Sequence, residues 1–129
     1  MLKKIFSGFL SLLLCPFFLS GETQQGIYKK IAPKQAKEMM EAGNPFILLD
    51  VRTEGEFRGE RIKGAILIPN TEIRNRAGSE LPDKNALIFV YCRSGMRSSG
   101  AARELVAMGY TNVYDIGGIM NWPYEKVRG

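Results

Sequence analysis

The stretch Leu87-Ile88-Phe89-Val90-Tyr91 is the strongest strand signal in the chain, and it runs directly into a cysteine. Two shorter apolar runs precede it. They are Phe46-Ile47-Leu48-Leu49 and Ala65-Ile66-Leu67-Ile68, the second stopped by Pro69-Asn70. An apolar run without alternation is the signature of a strand covered on both faces. Helical patterns lie between the runs. Ala32-Pro33 opens an amphipathic stretch over 34–41 that Gly43 ends, with proline early and glycine late as helices prefer. Thr53 and Glu56 have capping-box spacing, which predicts a brief helix through Arg58. A further helix is predicted over 71–76, and a turn at Leu81-Pro82-Asp83. Ser98 or Ser99 is placed to cap a helix through Ala101, Ala102, Leu105, Val106 and Met108, with Gly109 as its stop. Val113-Tyr114 reads as a last short strand, and Gly117-Gly118 as a tight turn before a terminal helix around Trp122. Strands alternating with helices need parallel crossovers. The fold class is therefore α/β, a parallel sheet of about four to five strands with helices on both faces. No internal repeat or second domain is evident.

Residues 1–21 read as a separate object. Lys3 and Lys4 precede Ile5 to Gly21, 17 residues without a charge, and Ser20-Gly21 are small residues at the exit. Basic start, apolar centre and small exit make a secretory signal peptide. An uncleaved anchor is the competing reading. The run is shorter than the ~20 residues a spanning helix needs, and Pro16 breaks its later half. Cys15 follows the bulky Leu14, which argues against lipid attachment, and it fits a small apolar side chain in the signal core. The expectation is an exported chain, periplasmic or secreted, with residues 22–129 as the domain and a core at about 27–124. Contact with a membrane is expected only through residues 5–21 if they stay attached.

Loss of Lys3 and Lys4 lowers the net charge from +5 to +3. That is too mild to suggest nucleic acid, and no basic stripe interleaved with aromatics is present. The chain has no histidine at all. Ser-His and Cys-His nucleophile pairs are thereby excluded. Only two cysteines occur, 77 residues apart, which disfavours a metal site. No phosphate-binding loop is found, so no cofactor is expected.

An exported chain would keep one thiol, Cys92. A lone cysteine in an oxidising compartment is either buried and inert or kept for its reactivity. The segment Tyr91-Cys92-Arg93-Ser94-Gly95-Met96-Arg97-Ser98 favours reactivity. Strands of such sheets present ligands at their carboxyl ends, and Cys92 stands at one. A small polar loop there can turn several backbone N–H groups toward one point, next to the positive end of a helix. Arg93 and Arg97 add two permanent cations. Together these favour thiolate without an imidazole.

The ordered set of motifs resembles the rhodanese family. It comprises Leu48-Leu49-Asp50-Val51-Arg52-Thr53, Glu56-Phe57, Ile62-Lys63-Gly64-Ala65, Ile68-Pro69-Asn70, the Cys92–Ser98 loop, Met108-Gly109-Tyr110, and Gly117-Gly118 with Trp122. The layout looks like the small exported single-domain members, including those of the phage-shock type. The resemblance implies a sulfurtransferase. Cys92 would take the outer sulfur of a small anionic donor such as thiosulfate, hold it as a persulfide, and pass it to cyanide, a thiol or a sulfur-accepting protein. Arg93, Arg97 and the amides of Ser94, Gly95 and Met96 would bind the donor and the persulfide charge. Asp50 and Arg52 would form an ion pair that fixes two loops, and Trp122 would plug the core. Two departures stand out. Arg61 and Lys63 replace the family's usual histidine and proline, and Met96 sits where asparagine is common. Two other functions compete. A non-turnover persulfide carrier would use the same cysteine. Phosphatases and arsenate reductases of related design use a longer Cys-x5-Arg loop, whereas Cys92 and Arg97 make Cys-x4-Arg, a loop that crowds phosphate.

Overall fold

The computed structural model describes residues 27–129. The expected export segment 1–21, with Cys15, lies outside the described residues. The elements are β1 (Lys29–Lys30), α1 (Pro33–Glu41), β2 (Ile47–Asp50), α2 (Glu54–Gly59), β3 (Arg61–Ile62), β4 (Ile66–Leu67), α3 (Ile73–Glu80), β5 (Ile88–Cys92), α4 (Met96–Ala107), β6 (Val113–Gly118) and β7 (Lys126–Val127). Five strands form one parallel sheet in the order β1-β6-β5-β2-β4, and β3 pairs antiparallel with β7 in a separate two-stranded ribbon.

The side-chain alternation of β5 builds two cores. Ile88, Val90 and Cys92 point into a cluster with Ile73, Ala77, Ala101, Ala102 and Leu105, under α3 and α4. Phe89 and Tyr91 point the other way, toward Ala36 of α1, Ile116, Ile119 and Trp122. All five residues of β5 are buried, so the continuous apolar run is what a central strand between two helical layers requires. Trp122 is 4% exposed and packs edge-on against Tyr124, as a core plug.

Local signals hold for α1, which has Pro33 at its first position, and for α2. Thr53 Oγ1 accepts from the Glu56 amide while Glu56 returns the bond to the Thr53 amide, completing the capping box. The end of α4 is a Schellman motif: Gly109, at φ +102°, donates to Val106, and Tyr110 donates to Leu105. That turn buries the Tyr110 ring, whose hydroxyl reaches the carbonyls of Leu81 at 2.5 Å and Ala77 at 2.9 Å and so ties α3 to α4.

Four expectations are corrected. The helix after Cys92 starts at Met96 with Gly95 as its cap, because Ser98 turns inward rather than capping. The helix expected over 71–76 is a 3-10 turn at Asn70–Glu72 followed by α3, which extends to Glu80 to cover the sheet. Gly117 and Gly118 belong to β6, which is longer than Val113-Tyr114. The terminal helix is a single 3-10 turn, Ile119–Asn121, ending before Trp122.

Asp50 and Arg52 sit where β2 leaves the sheet. Both are buried, at 0% and 5% exposure. Arg52 Nε and Nη2 donate to the carboxylate at 2.7–3.1 Å, and Nη2 also donates to the Glu60 carbonyl. The guanidinium lies over the Tyr91 ring, 5.6 Å from its centre. The pair clamps the chain after β2 to the end of α2, a structural role. Where a buried pair loses one partner, the charge left behind costs ~3–5 kcal/mol. Asp50→Ala should therefore lower unfolding free energy by about that amount in urea titrations. A loss below ~1 kcal/mol would show that the clamp is not structural.

Candidate active site

Cys92 is the last residue of β5, at the carboxyl end of the sheet. Pairing between β5 and β6 is regular up to Val90 and Asp115, then shifts so that Cys92 faces Gly118. The shift lays the chain after Cys92 across the end of β6. A Cβ built on Gly118 would come within 2.1 Å of the Arg93 carbonyl oxygen and 2.7 Å of Ser94 Cα. Gly118 has an ordinary φ of −116°; it is required here for space alone. The Met120 amide donates to the same Arg93 carbonyl at 3.3 Å. Gly95, at φ +109°, then turns the loop into α4, a conformation that glycine enters without a Cβ penalty.

That turn aims the Gly95 N–H at the cysteine sulfur, with N and Sγ 3.0 Å apart. The sulfur is at the floor of the loop, and Cys92 as a whole is 1% exposed. Burial alone would suit an inert cysteine. The polar groups around the sulfur do not. Besides the Gly95 amide, the Ser98 hydroxyl lies 3.5 Å from Sγ. Ser98 is fully buried in the first turn of α4, on a face otherwise formed by Ala101, Ala102 and Leu105. Its closest partner is Asp115 Oδ1 at 2.8 Å, to which it donates. Asp115 is buried too, and it also accepts from the Gly117 amide and, at Oδ2, from Lys30. A chain of contacts thus runs from Cys92 through Ser98 and Asp115 to Lys30, whose side chain is in solvent.

The two arginines of the loop differ. Arg93 is exposed and has no ion-pair partner among the described residues. Arg97, in the first turn of α4, donates from Nη1 and Nη2 to the two oxygens of Glu56 at 2.9 and 3.1 Å. Glu56 Oε1 is the same atom that accepts from the Thr53 amide and hydroxyl. The Arg97 hydrogen bonds, helped by Thr53, hold the Glu56 carboxyl well below its ordinary range, at about 2. The same contact raises Arg97 further above its ordinary value.

Of the expected site residues, Cys92 and Gly95 are in direct contact. Ser94 and Met96 are exposed on the loop and at the helix start, and Met96 is 82% exposed. Of the two permanent cations expected at the loop, Arg97 has its charge matched by Glu56. Reasoning from sequence missed three participants. Ser98, with Ser99, has the sequence of a helix cap, Glu56 belongs to the capping box and to the Glu56-Phe57 motif, and Asp115 carries no expected role. The one local signal was Asp115 itself, a lone carboxylate inside the apolar stretch Val113-Tyr114-Asp115-Ile116. Arg61 and Lys63, the departures in the loop after α2, settle into the β3–β7 ribbon. Arg61 lies over the Phe57 ring, and Lys63 pairs with Glu125.

The family model for the rhodanese-like domain matches residues 32–124. The chain belongs to the rhodanese-like family. Among curated relatives it is similar to the thiosulfate sulfurtransferase PspE of Escherichia coli, at 42% identity over 63% of this chain and 78% of that one. It is also similar to the thiosulfate sulfurtransferase GlpE of Haemophilus influenzae, at 38% identity over 74% of this chain and 88% of the relative. Among solved structures, a rhodanese with anions from E. coli superposes with a TM-score of 0.62 at 38% identity, covering 66% of this chain and all of that one. The rhodanese-like domain of the Alr3790 protein from Anabaena gives 0.72 at 27% identity, covering 80% and 81%. The two curated relatives are thiosulfate sulfurtransferases, so the chain is an enzyme of the sulfurtransferase class, with the rhodanese fold.

Gly118→Ala tests the backbone contact under the loop. The methyl group has no room, so the Cys92 loop must move. The substitution should cost ~2 kcal/mol in unfolding free energy, as overpacking does, and should speed alkylation of Cys92 by exposing it. Unchanged stability and alkylation would mean the loop does not rest on Gly118. Glu56 sets a pH dependence. Its carboxyl titrates at 4.5 ordinarily and at about 2 when folded. A lowered value stabilises the fold above the unfolded pKa, and that stabilisation is lost as pH falls toward the folded one. The stability advantage of the native chain over Glu56→Gln should therefore be full above pH 5 and should vanish between pH 4.5 and 2. A gap that does not change with pH would contradict the ion pair.

Proposed function

We propose that the chain is an exported sulfurtransferase that moves sulfane sulfur from thiosulfate or a similar anionic donor to a thiophile through a Cys92 persulfide. The observation that carries the reading is the Gly95 N–H directed at Cys92 Sγ at 3.0 Å, in a loop whose backbone rests against Gly118. The basic, apolar and small segments of residues 1–21 support export to a periplasm or secretion.

The cycle balances without any cofactor. Cys92 first loses its proton to solvent. Its sulfur then attacks the outer sulfur of thiosulfate, the S–S bond to the sulfonate sulfur breaks, and sulfite leaves with the electron pair. The new Cys–S–S⁻ carries one negative charge. Backbone N–H groups fixed in advance stabilise such a charge without reorganising, and Gly95 is the donor placed for it. Cyanide, or a thiolate, attacks the outer sulfur in turn, breaks the Cys–S bond to it, and leaves as thiocyanate or a persulfide while Cys92 returns as thiolate.

The exposed Arg93 is the free cation for the sulfonate end, through a charge-assisted bond. Both arms of the Arg97 fork are taken by Glu56 at the rim of the loop. A phosphatase reading fits less well, because Cys92 and Arg97 make Cys-x4-Arg, one residue shorter than the Cys-x5-Arg loop that encloses a phosphate. Cys92→Ser should abolish thiocyanate release from thiosulfate and cyanide, by at least ~10³-fold, with the fold intact by circular dichroism. Residual release above a hundredth of the native rate would overturn the covalent route.

A further inference from the structure

Glu56 reaches across from α2 to the first turn of α4, 41 positions along the chain, and its carboxylate takes both arms of the Arg97 fork. Oε1 is anchored from behind by the Thr53 amide and hydroxyl, so the carboxylate cannot swing away without opening the start of α2. Both side chains remain about 30% exposed, at the rim of the Cys92 loop. The other carboxylate near the sulfur, Asp115, is matched by Lys30, and Asp50 is matched by Arg52. One loop cation, Arg93, is then left without a counter-charge among the described residues.

We infer that Glu56 is a positioning residue that sets which donor charge the site accepts, by cancelling one of its two cations through Arg97. A rim with one unmatched cation suits a singly charged sulfane donor, such as an alkanethiosulfonate, better than a rim with two would. The inference rests on the persulfide reading of Cys92. The physical expectation is a scaling law. Removing a unit charge about 6 Å from the donor in water-like screening changes binding roughly threefold per donor charge, so the effect on a dianion is about the square of that on a monoanion.

The test is steady-state kinetics with thiosulfate, a dianion, and methanethiosulfonate, a monoanion, each with cyanide as acceptor. Glu56→Gln should lower KM about tenfold for thiosulfate and about threefold for methanethiosulfonate, with kcat for each within about twofold. Glu56→Asp, which keeps the charge, should retain the native ratio of the two KM values. Arg97→Gln uncovers Glu56 and should raise KM in the same charge-proportional way. The double variant Glu56→Gln with Arg97→Gln should return thiosulfate KM to within about threefold of native, because the charges cancel in both.

A double variant as poor as Arg97→Gln alone would overturn the inference, since Arg97 would then be a free binding cation. Equal effects on both donors, or changes in kcat only, would also overturn it by reducing Glu56 to a structural brace. The underlying reading is checked separately by sulfur loading of the native protein from each donor. Failure to load from either would sink the persulfide route itself, whereas loading with equal donor effects would sink only the role of Glu56.

Discussion

The backbone of the Cys92 loop rests on the backbone of Gly118, at a distance that leaves no space for even a methyl group. That contact follows from the one irregularity in the sheet, the register shift between Val90 and Cys92 where β5 meets β6. With the loop pressed onto β6, Gly95 must take a left-handed turn, and the turn brings its N–H onto the sulfur. The same closeness puts Ser98 over Asp115, so the first turn of α4 buries a hydroxyl that donates to a buried carboxylate of β6. A buried polar group without a partner costs folding free energy, and here the partners are supplied by neighbours that the loop itself draws in.

Three ion pairs surround the site, and among the described residues Arg93 of the loop has no such partner. Asp50 meets Arg52, Asp115 meets Lys30, and Glu56 meets Arg97. The first pair is buried and fixes the frame behind Tyr91, whose hydroxyl accepts from the Ile62 amide and whose own ionisation is pushed up by burial and by Asp50. The third pair is at the rim and partly exposed, which is where the proposed role of Glu56 would act. With histidine absent from the whole chain, the polar groups at the loop are backbone amides, a hydroxyl, carboxylates and guanidinium groups; the guanidinium and amide groups are the ones the proposed mechanism uses. These do not titrate near neutral pH.

Much of this organisation is legible in the chain because it is local. The Pro33 start of α1, the Thr53–Glu56 box, the apolar run of β5 and the Gly109 stop of α4 each depend on neighbours within a turn or a strand. What was not legible depends on distant partners. The two-residue edge strand at Lys29–Lys30 is polar and exposed, and it exists only because β6 offers an unpaired edge. The ribbon of Arg61–Ile62 with Lys126–Val127 joins segments with no shared local pattern. Ser98 has the sequence of a cap, yet a buried carboxylate 17 positions away outcompetes the helix amides for it. Glu56 was read correctly as part of a capping box, and that reading hid its second role toward Arg97. The cysteine itself was legible. The matching of one arginine's charge was not, since nothing in residues 92–98 encodes the position of α2.

The claim on which all of this converges is that Cys92 carries sulfur. Intact mass of the purified domain, measured after thiosulfate and again after added cyanide, tests it most directly. The mass should rise by about one sulfur atom and fall back as thiocyanate appears. No mass gain on a protein whose Cys92 is demonstrably free and reduced would contradict it.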